Sequence, residues 1–357
     1  MEWGADAADL LVYDWNHDEE NLAGRTVEFQ DETLRDGLQS PSVSDPDIEK
    51  KIQLLHLMER LGIHGVDVGI PVAGARARDH VRRLCQEIRD QRLRLLPSCA
   101  ARTLPMDIEP IVQVSQEVGI PVEAAVFLGS SPIRLYAESW PMEKLLRYTD
   151  EAVAFAVNHG LPCMYVTEDT TRARPETLRR LYSAAIEAGA GRVCLADTVG
   201  HATPQGVRNL VRFIREVIRD SGRDVKIDWH GHRDRGLAIV NALAAVEAGA
   251  DRIHGTALGV GERVGNTPME ALLVNARLVG LIDHDLSVLH QYTETVSEAL
   301  GVPVPPAWPI AGRDPFRTRG GPHLAGLQAA VRHPRPLLAE RLCSAVPATL
   351  VGREVAL

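Results

Sequence analysis

No apolar run in this chain reaches the roughly 18 residues that a membrane-spanning helix needs. The N-terminal stretch "MEWGADAADLLVYDWNHDEE" is acidic and lacks the basic start of a secretory leader. No CxxC occurs among the five scattered cysteines, Cys85, Cys99, Cys163, Cys194 and Cys343. Their odd number also argues against a disulfide framework, so they read as reduced thiols, mostly in the core. Positive charge is in short supply: 39 Lys and Arg stand against 48 Asp and Glu, a net charge of −9. That balance speaks against general nucleic-acid binding. No internal repeat and no low-complexity tract is found. These absences predict a cytoplasmic protein without a membrane or nucleic-acid partner.

What is present is ordinary globular composition, 45% hydrophobic and 24% charged over 357 residues, ample for a full core. Short β-rich runs alternate with longer stretches whose apolar residues recur at spacings of three and four. The β-rich series begins at "RTVEFQD" and "GVDVGI" and continues through "LRLLPSC", "PVEAAVFLG", "PCMYVTED", "GRVCLADT", "VKIDWHGH" and "ADRIHGTAL". Helical segments between them end at Gly62, Gly119, Gly160, Gly189 and Gly249, where a left-handed cap is expected. Eight such repeats predict an α/β fold, a closed (β/α)₈ TIM barrel, over residues 25–281. A doubly wound open sheet is the rival, weakened because no GxGxxG follows the first strand. Residues 1–24 read as an N-terminal extension. Residues 282–357 read as a C-terminal extension: a helix in "DLSVLHQYTETVSEALG", a proline-rich linker "VPVPPAWP", and a tail. The tail from Gly312 carries seven arginines against Asp314, Glu340 and Glu354.

In a barrel the strand C-termini form the active face. "DETLRDGLQS", Asp31 to Ser40, follows the first strand and crowds Asp31, Glu32, Arg35 and Asp36 ahead of Gly37. "DWHGH" ends the seventh strand. His230 and His232 are two apart and therefore share a face. Asp36 and these two imidazoles can converge on one divalent cation with positions left open for substrate or water. The plainer alternatives are an Arg35–Asp36 surface pair and two half-buried, hydrogen-bonded histidines.

Three stretches, "DETLRDG", "HGHRDRGLAIVNA" and "GVGERVGNTPMEALL", together resemble the signatures of the DRE-TIM metallolyases. That superfamily includes isopropylmalate, citramalate and homocitrate synthases and the hydroxymethylglutaryl-CoA lyases. "EDTTRARPETL" and "LADTVGHATP" agree with the synthase branch, and "GRDPFRTRGGPHLAGL" is similar to a tail motif of isopropylmalate-synthase-like proteins. The resemblance implies a metal-dependent, Claisen-type condensation of acetyl-CoA with a 2-oxo acid. It implies that Asp36, His230, His232 and Asn266 hold Mg²⁺, Mn²⁺ or Zn²⁺. The turn at Gly37 would hold Asp36, and Arg35 would face the substrate carbonyl. Thr198, Gln39 and Arg134 would contact substrate. Glu168 with His323 would serve as the base. Gly259 and Gly261 would leave room for the nucleotide of the acyl carrier. His323 would come from the tail of a partner subunit in a homodimer, carried off its own barrel by the stiff linker.

Several departures from the pattern bear on substrate. The common "HCHND" is here "HGHRD", with Gly231 and Arg233; Ala125 and Cys194 stand where many synthases carry polar residues. The pocket is expected to be less polar than usual. A leucine-sensing regulatory domain is not expected within the 357 residues. A leucine-biosynthetic synthase, a synthase with an unusual 2-oxo acid in secondary metabolism, and a lyase all remain open. The lyase reading is weakened because "GTALGVGERVGN" contains no cysteine. A catalytically dead barrel kept for binding is argued against by the intact Asp36, His230, His232 and Asn266.

Overall fold

The computed structural model describes residue 22, residues 24–332 and residues 337–355. The expected N-terminal extension lies almost wholly outside the described residues. Strands β1 (Glu28–Asp31), β2 (Gly65–Asp67), β3 (Leu96–Arg102), β4 (Glu123–Gly129), β5 (Cys163–Glu168), β6 (Arg192–Asp197), β7 (Lys226–Gly231) and β8 (Arg252–Gly255) form a closed barrel in chain order. All pairings are parallel, and β8 returns to β1 with Phe29 opposite Ile253. Closure rules out the doubly wound sheet.

Helices α1 (Ile48–Arg60), α2 (Ala75–Asp90), α3 (Pro105–Val118), α4 (Pro132–Glu138), α5 (Met142–Asn158), α6 (Pro175–Ala188), α7 (Pro204–Ser221), α8 (Ala238–Ala248) and α9 (Met269–Leu278) belong to the barrel units. In α7 the local causes are explicit. Thr203 caps the start by accepting from the Gly206 N–H at 3.2 Å, and Pro204 occupies the first turn. Val207, Val211, Ile214 and Ile218 recur on one face and are buried. Each contributes about 1.5–3 kcal/mol of transfer free energy before ordering costs. Gly222, at φ 69°, ends the helix in the left-handed region. The short α4 escapes a pattern reading because it buries no side chain and so has no apolar stripe.

Two apolar clusters belong to the barrel among the described residues. The large one lies between barrel and helices and takes outward-facing residues such as Phe29, Trp229 and Ile253. A small one lies inside the barrel: Ala125, Met164 and Cys194, with Val166 against them. Beneath it the interior is ionic. Arg252 pairs with Asp228 and Glu123, each at 2.6 Å, and Arg192 pairs with Asp228 at 2.7 Å and Glu28 at 2.8 Å. These buried charges are tolerable because each has partners. They plug the floor and leave the strand C-termini as the open end. Four cysteines, Cys85, Cys99, Cys163 and Cys194, are buried free thiols. Among the described residues no helix is long and apolar enough to cross a membrane.

The C-terminal extension behaves differently from expectation. Helix α10 (Leu289–Leu300) packs against α1. The proline-rich linker does not lead the chain away; it lies on its own barrel. The Trp308 indole donates to Glu270 Oε1 at 2.8 Å, and the Arg233 guanidinium stacks 4.8 Å from the Trp308 ring centre. Prolines cannot continue a helix or donate to a sheet, so this stretch stays extended and presents the aromatic ring for burial. Ala348 and Val351 also return to the main core, and Arg353 donates to the Ile310 carbonyl at 3.1 Å. Helices α11 (Gly321–Val331) and α12 (Leu337–Cys343) pack on each other through Leu327, Ala330 and Ala339.

Candidate active site

A cavity of about 240 Å³ opens at the C-terminal ends of the strands. Its polar side is built by β1, β2, β7 and β8. Asp36 follows β1 in a short turn whose Gly37 N–H donates to the Glu32 carbonyl at 3.0 Å. Gly37 has no positive φ and stands in the expected turn. A Cβ there would meet Val260 Cγ2 at 3.0 Å, so its role is to let the β1 and β8 loops approach.

His230 Nε2 lies 3.1 Å from Asp36 Oδ2, His232 Nε2 lies 3.6 Å from the same oxygen, and the two Nε2 atoms are 3.3 Å apart. Burial would push the Asp36 carboxyl up, but Arg35, His230 and His232 outweigh it and hold the carboxyl far below its usual range. Burial and the neighbouring His230 push His232 down to about 4, so its imidazole is neutral at pH 7. Asn266 lies beside His232 in an isolated antiparallel bridge. Its Nδ2 donates to the Val260 carbonyl at 3.1 Å, while its Oδ1 is buried without a partner. The Asp36 carboxylate and the two imidazole nitrogens lie within ligand reach of one another, a donor set that fits a divalent cation, and the orphaned Asn266 amide oxygen belongs to the residue bridged to His232.

The glycine-rich loop explains how Asn266 gets there. A Cβ on Gly261, at φ 146°, would sit 2.1 Å from Asn266 Nδ2; one on Gly265, at φ 95°, would sit 1.8 Å from the Gly259 carbonyl oxygen. These glycines make room for the asparagine and its own backbone.

Arg35 is fixed by three carboxylates. Its Nε donates to Asp67 Oδ2 at 2.9 Å, an NH2 group pairs with Glu32, and NH1 lies 3.7 Å from Asp36. Burial and the Glu32 charge push Asp67 up to about 8. Burial works the same way on Glu32, but Arg35 and then His254 overcome it and keep that carboxyl low. His254 bridges Glu32 at 3.1 Å and Asp228 at 2.8 Å. Burial alone would lower its pKa; those two hydrogen-bonded carboxylates raise it instead. Glu32, His230 and His254 also lie within ligand reach of one another. With His254 committed to two carboxylates, that group is an ion-pair network joining the floor to the mouth.

At the opposite rim, Glu168 ends β5 and accepts from Arg134 at 3.0 Å; burial raises its carboxyl pKa against the pull of Arg134. Thr198 Oγ1 accepts from the Asp169 N–H at 2.8 Å. Glu168, Thr198 and Gln39 all line the cavity. Two predicted residues are not brought to it. Arg134 is 44% exposed, does not line the cavity, and is committed to Glu168 and to Glu138 at 3.2 Å. His323 is exposed near the start of α11 and does not line its own chain's cavity.

The model of a family described as HMGL-like matches residues 26–296. The chain belongs to the HMGL-like family. Among its relatives is the homocitrate synthase AksA of Methanopyrus kandleri, 36% identical over 310 residues that cover 86% of this chain and 74% of that protein. A probable 2-isopropylmalate synthase of the same organism is 33% identical over 304 residues, 84% of this chain but only 58% of its own length. A 2-isopropylmalate synthase of Sulfurisphaera tokodaii is 32% identical over 312 residues, 86% of this chain and 77% of that one. Among solved structures, a hydroxymethylglutaryl-CoA lyase of Bacillus subtilis superposes with a TM-score of 0.65 at 21% identity, covering 79% of this chain and 96% of that one. It shares the barrel.

In this family member, Glu32, Asp67 and His254 are site residues that the motifs alone did not single out. Each is a polar residue at, next to or just past the C-terminal end of its strand. In a barrel that position is the available signal.

Proposed function

We propose that the chain condenses acetyl-CoA with a 2-oxo acid to give a 2-alkylmalate, using a divalent cation held by Asp36, His230, His232 and Asn266. The observation that carries the reading is the convergence of Asp36, His230 and His232 beside Arg35 in one cavity. Relatives named homocitrate and 2-isopropylmalate synthases support it. A bound cation would supply Lewis-acid polarisation of the 2-oxo carbonyl.

The chain's own residues do the rest. Arg35 donates to the carbonyl oxygen as negative charge grows there. Asp67 and Glu32 fix its guanidinium beforehand, so no reorganisation is needed. Thr198 has its oxygen occupied by the Asp169 N–H, which leaves its hydroxyl proton to donate to the substrate carboxylate. Gln39 offers an amide from the rim. Glu168 takes a proton from the acetyl methyl group; its raised pKa makes it a stronger base than an exposed glutamate. The carbon pair so released forms the new carbon–carbon bond at the ketone, whose π electrons move to oxygen and are protonated. Water then hydrolyses the thioester and releases the coenzyme A thiol. In this reading His323 joins Glu168 only from the α11 of a partner subunit in a homodimer.

The test is thiol release from acetyl-CoA that depends on both a 2-oxo acid and a divalent cation. Asp36→Ala and His230→Ala are each expected to lose bound cation and activity with an unchanged circular-dichroism spectrum, because mouth residues contribute little to the core. Full turnover of either variant after exhaustive chelation, or cleavage of a hydroxyacyl-CoA without any condensation, would overturn the reading.

A further inference from the structure

The cavity has two unlike sides. Its polar side carries Arg35, Asp36, Asp67 and the three histidines. The facing side is a continuous apolar wall contributed by β3 to β6. Parallel register places Ala100 beside Ala125 and Ala125 beside Met164; one step nearer the mouth it places Phe127 beside Val166 and Val166 beside Cys194. Ala196 then adjoins His230. Resting on the condensation reading above, we propose that the 2-oxo acid is a monocarboxylic acid with an extended apolar side chain, longer than a branched three-carbon group.

Charge decides against a dicarboxylic substrate. The ketone of a 2-oxo acid belongs on the polar side and its carboxylate between that side and Thr198 at the rim, which sends the side chain to the apolar wall. A second carboxylate there would find no cation. Among the described residues Arg35 is the only arginine that lines the cavity, and three carboxylates hold it. Arg134 stands outside and is engaged by Glu168 and Glu138. The nearest acidic groups at the rim, Glu168 and Glu262, are of the wrong sign and already hold Arg134 and Arg263. An anion placed among them would lose its hydration and gain repulsion.

Size decides for an extended chain. Ala100, Ala125 and Ala196 are 4–5% exposed and present single methyl groups. Cys194 is 1% exposed, and burial keeps its thiol neutral, so it acts as a small hydrophobe. The wall ends at Met164, which rests 3.5 Å from Arg252 of the ionic floor and adapts readily to an apolar tip. Phe127 and Val166 stay half-buried, their remaining surface turned to solvent-accessible space above the methyl groups.

The experiment compares pyruvate, 2-oxoisovalerate, 2-oxohexanoate and 2-oxoglutarate by thiol release, and measures their binding to the Mn²⁺-loaded protein by calorimetry. kcat/KM is expected to be at least about 10-fold higher for 2-oxohexanoate than for 2-oxoisovalerate, the discrimination that one or two methylenes give in an apolar pocket. 2-Oxoglutarate is expected to fall at least about 10³-fold below 2-oxohexanoate, as for a charge without a partner. Ala125→Leu should lower the 2-oxohexanoate to pyruvate ratio more than about 10-fold by shortening the wall. Condensation that prefers 2-oxoglutarate, or stops at pyruvate and 2-oxoisovalerate, overturns this inference and leaves the condensation reading standing. Preferential binding of 2-oxohexanoate without condensation supports the inference and removes the condensation reading. No binding of any of the four overturns both.

Discussion

Asp31 offers a quantitative test of how the turn carrying Arg35 and Asp36 is anchored. Its carboxylate is fully buried, accepts from the Thr33 N–H at 2.8 Å and from the Tyr292 hydroxyl of α10. Burial nevertheless dominates and raises its pKa from 3.8 to about 6. A carboxyl raised in the folded state contributes stability that is fully present below 3.8 and lost as pH rises through about 6. A shift of roughly two units corresponds to about 3 kcal/mol across that window, and about half of it falls between pH 5 and pH 7.5. Asp31→Asn keeps an acceptor of the same shape and removes the titration. The stability of the variant relative to the parent should therefore increase by roughly 1.5 kcal/mol on going from pH 5 to pH 7.5. Urea unfolding at both pH values reads this as a change in a difference, so shared multistate behaviour largely cancels. A relative stability that is flat with pH, or that moves the other way, would show that Asp31 is ionised at no cost and refute the argument.

Two further outcomes address the chemistry. Arg35→Lys keeps the charge but loses the planar fork that Asp67 and Glu32 hold; kcat is expected to fall about 10²-fold or more with bound cation unchanged, and near-parental turnover would make Arg35 a structural ion pair. Mixing His323→Ala with His230→Ala subunits, each inactive alone, should restore about a quarter of parental activity on random exchange if α11 serves a partner's site, as two-fold symmetry requires. Exchange verified by mass with no recovered activity would place His323 outside the partner's chemistry.

Much of this site could be read along the chain because its logic is local. Alternating β and helical periods predict the barrel, and a parallel closed sheet is how eight such units bury both faces. The period of two puts His230 and His232 on one face without any knowledge of neighbours. What distant segments do to one another was not legible. Asp36 and His230 are 194 positions apart, and only closure of β1 onto β8 brings them to 3.1 Å. The linker's prolines suggest a spacer, yet Trp308 finds Glu270 and Arg233 and folds it down. Arg134 looks available in sequence and is spent on Glu168 and Glu138 in space. The apolar wall exists because inter-strand register aligns Ala100, Ala125 and Met164. Sequence periodicity sets which face a residue occupies; register and closure, fixed by packing of the whole barrel, set which residues meet there.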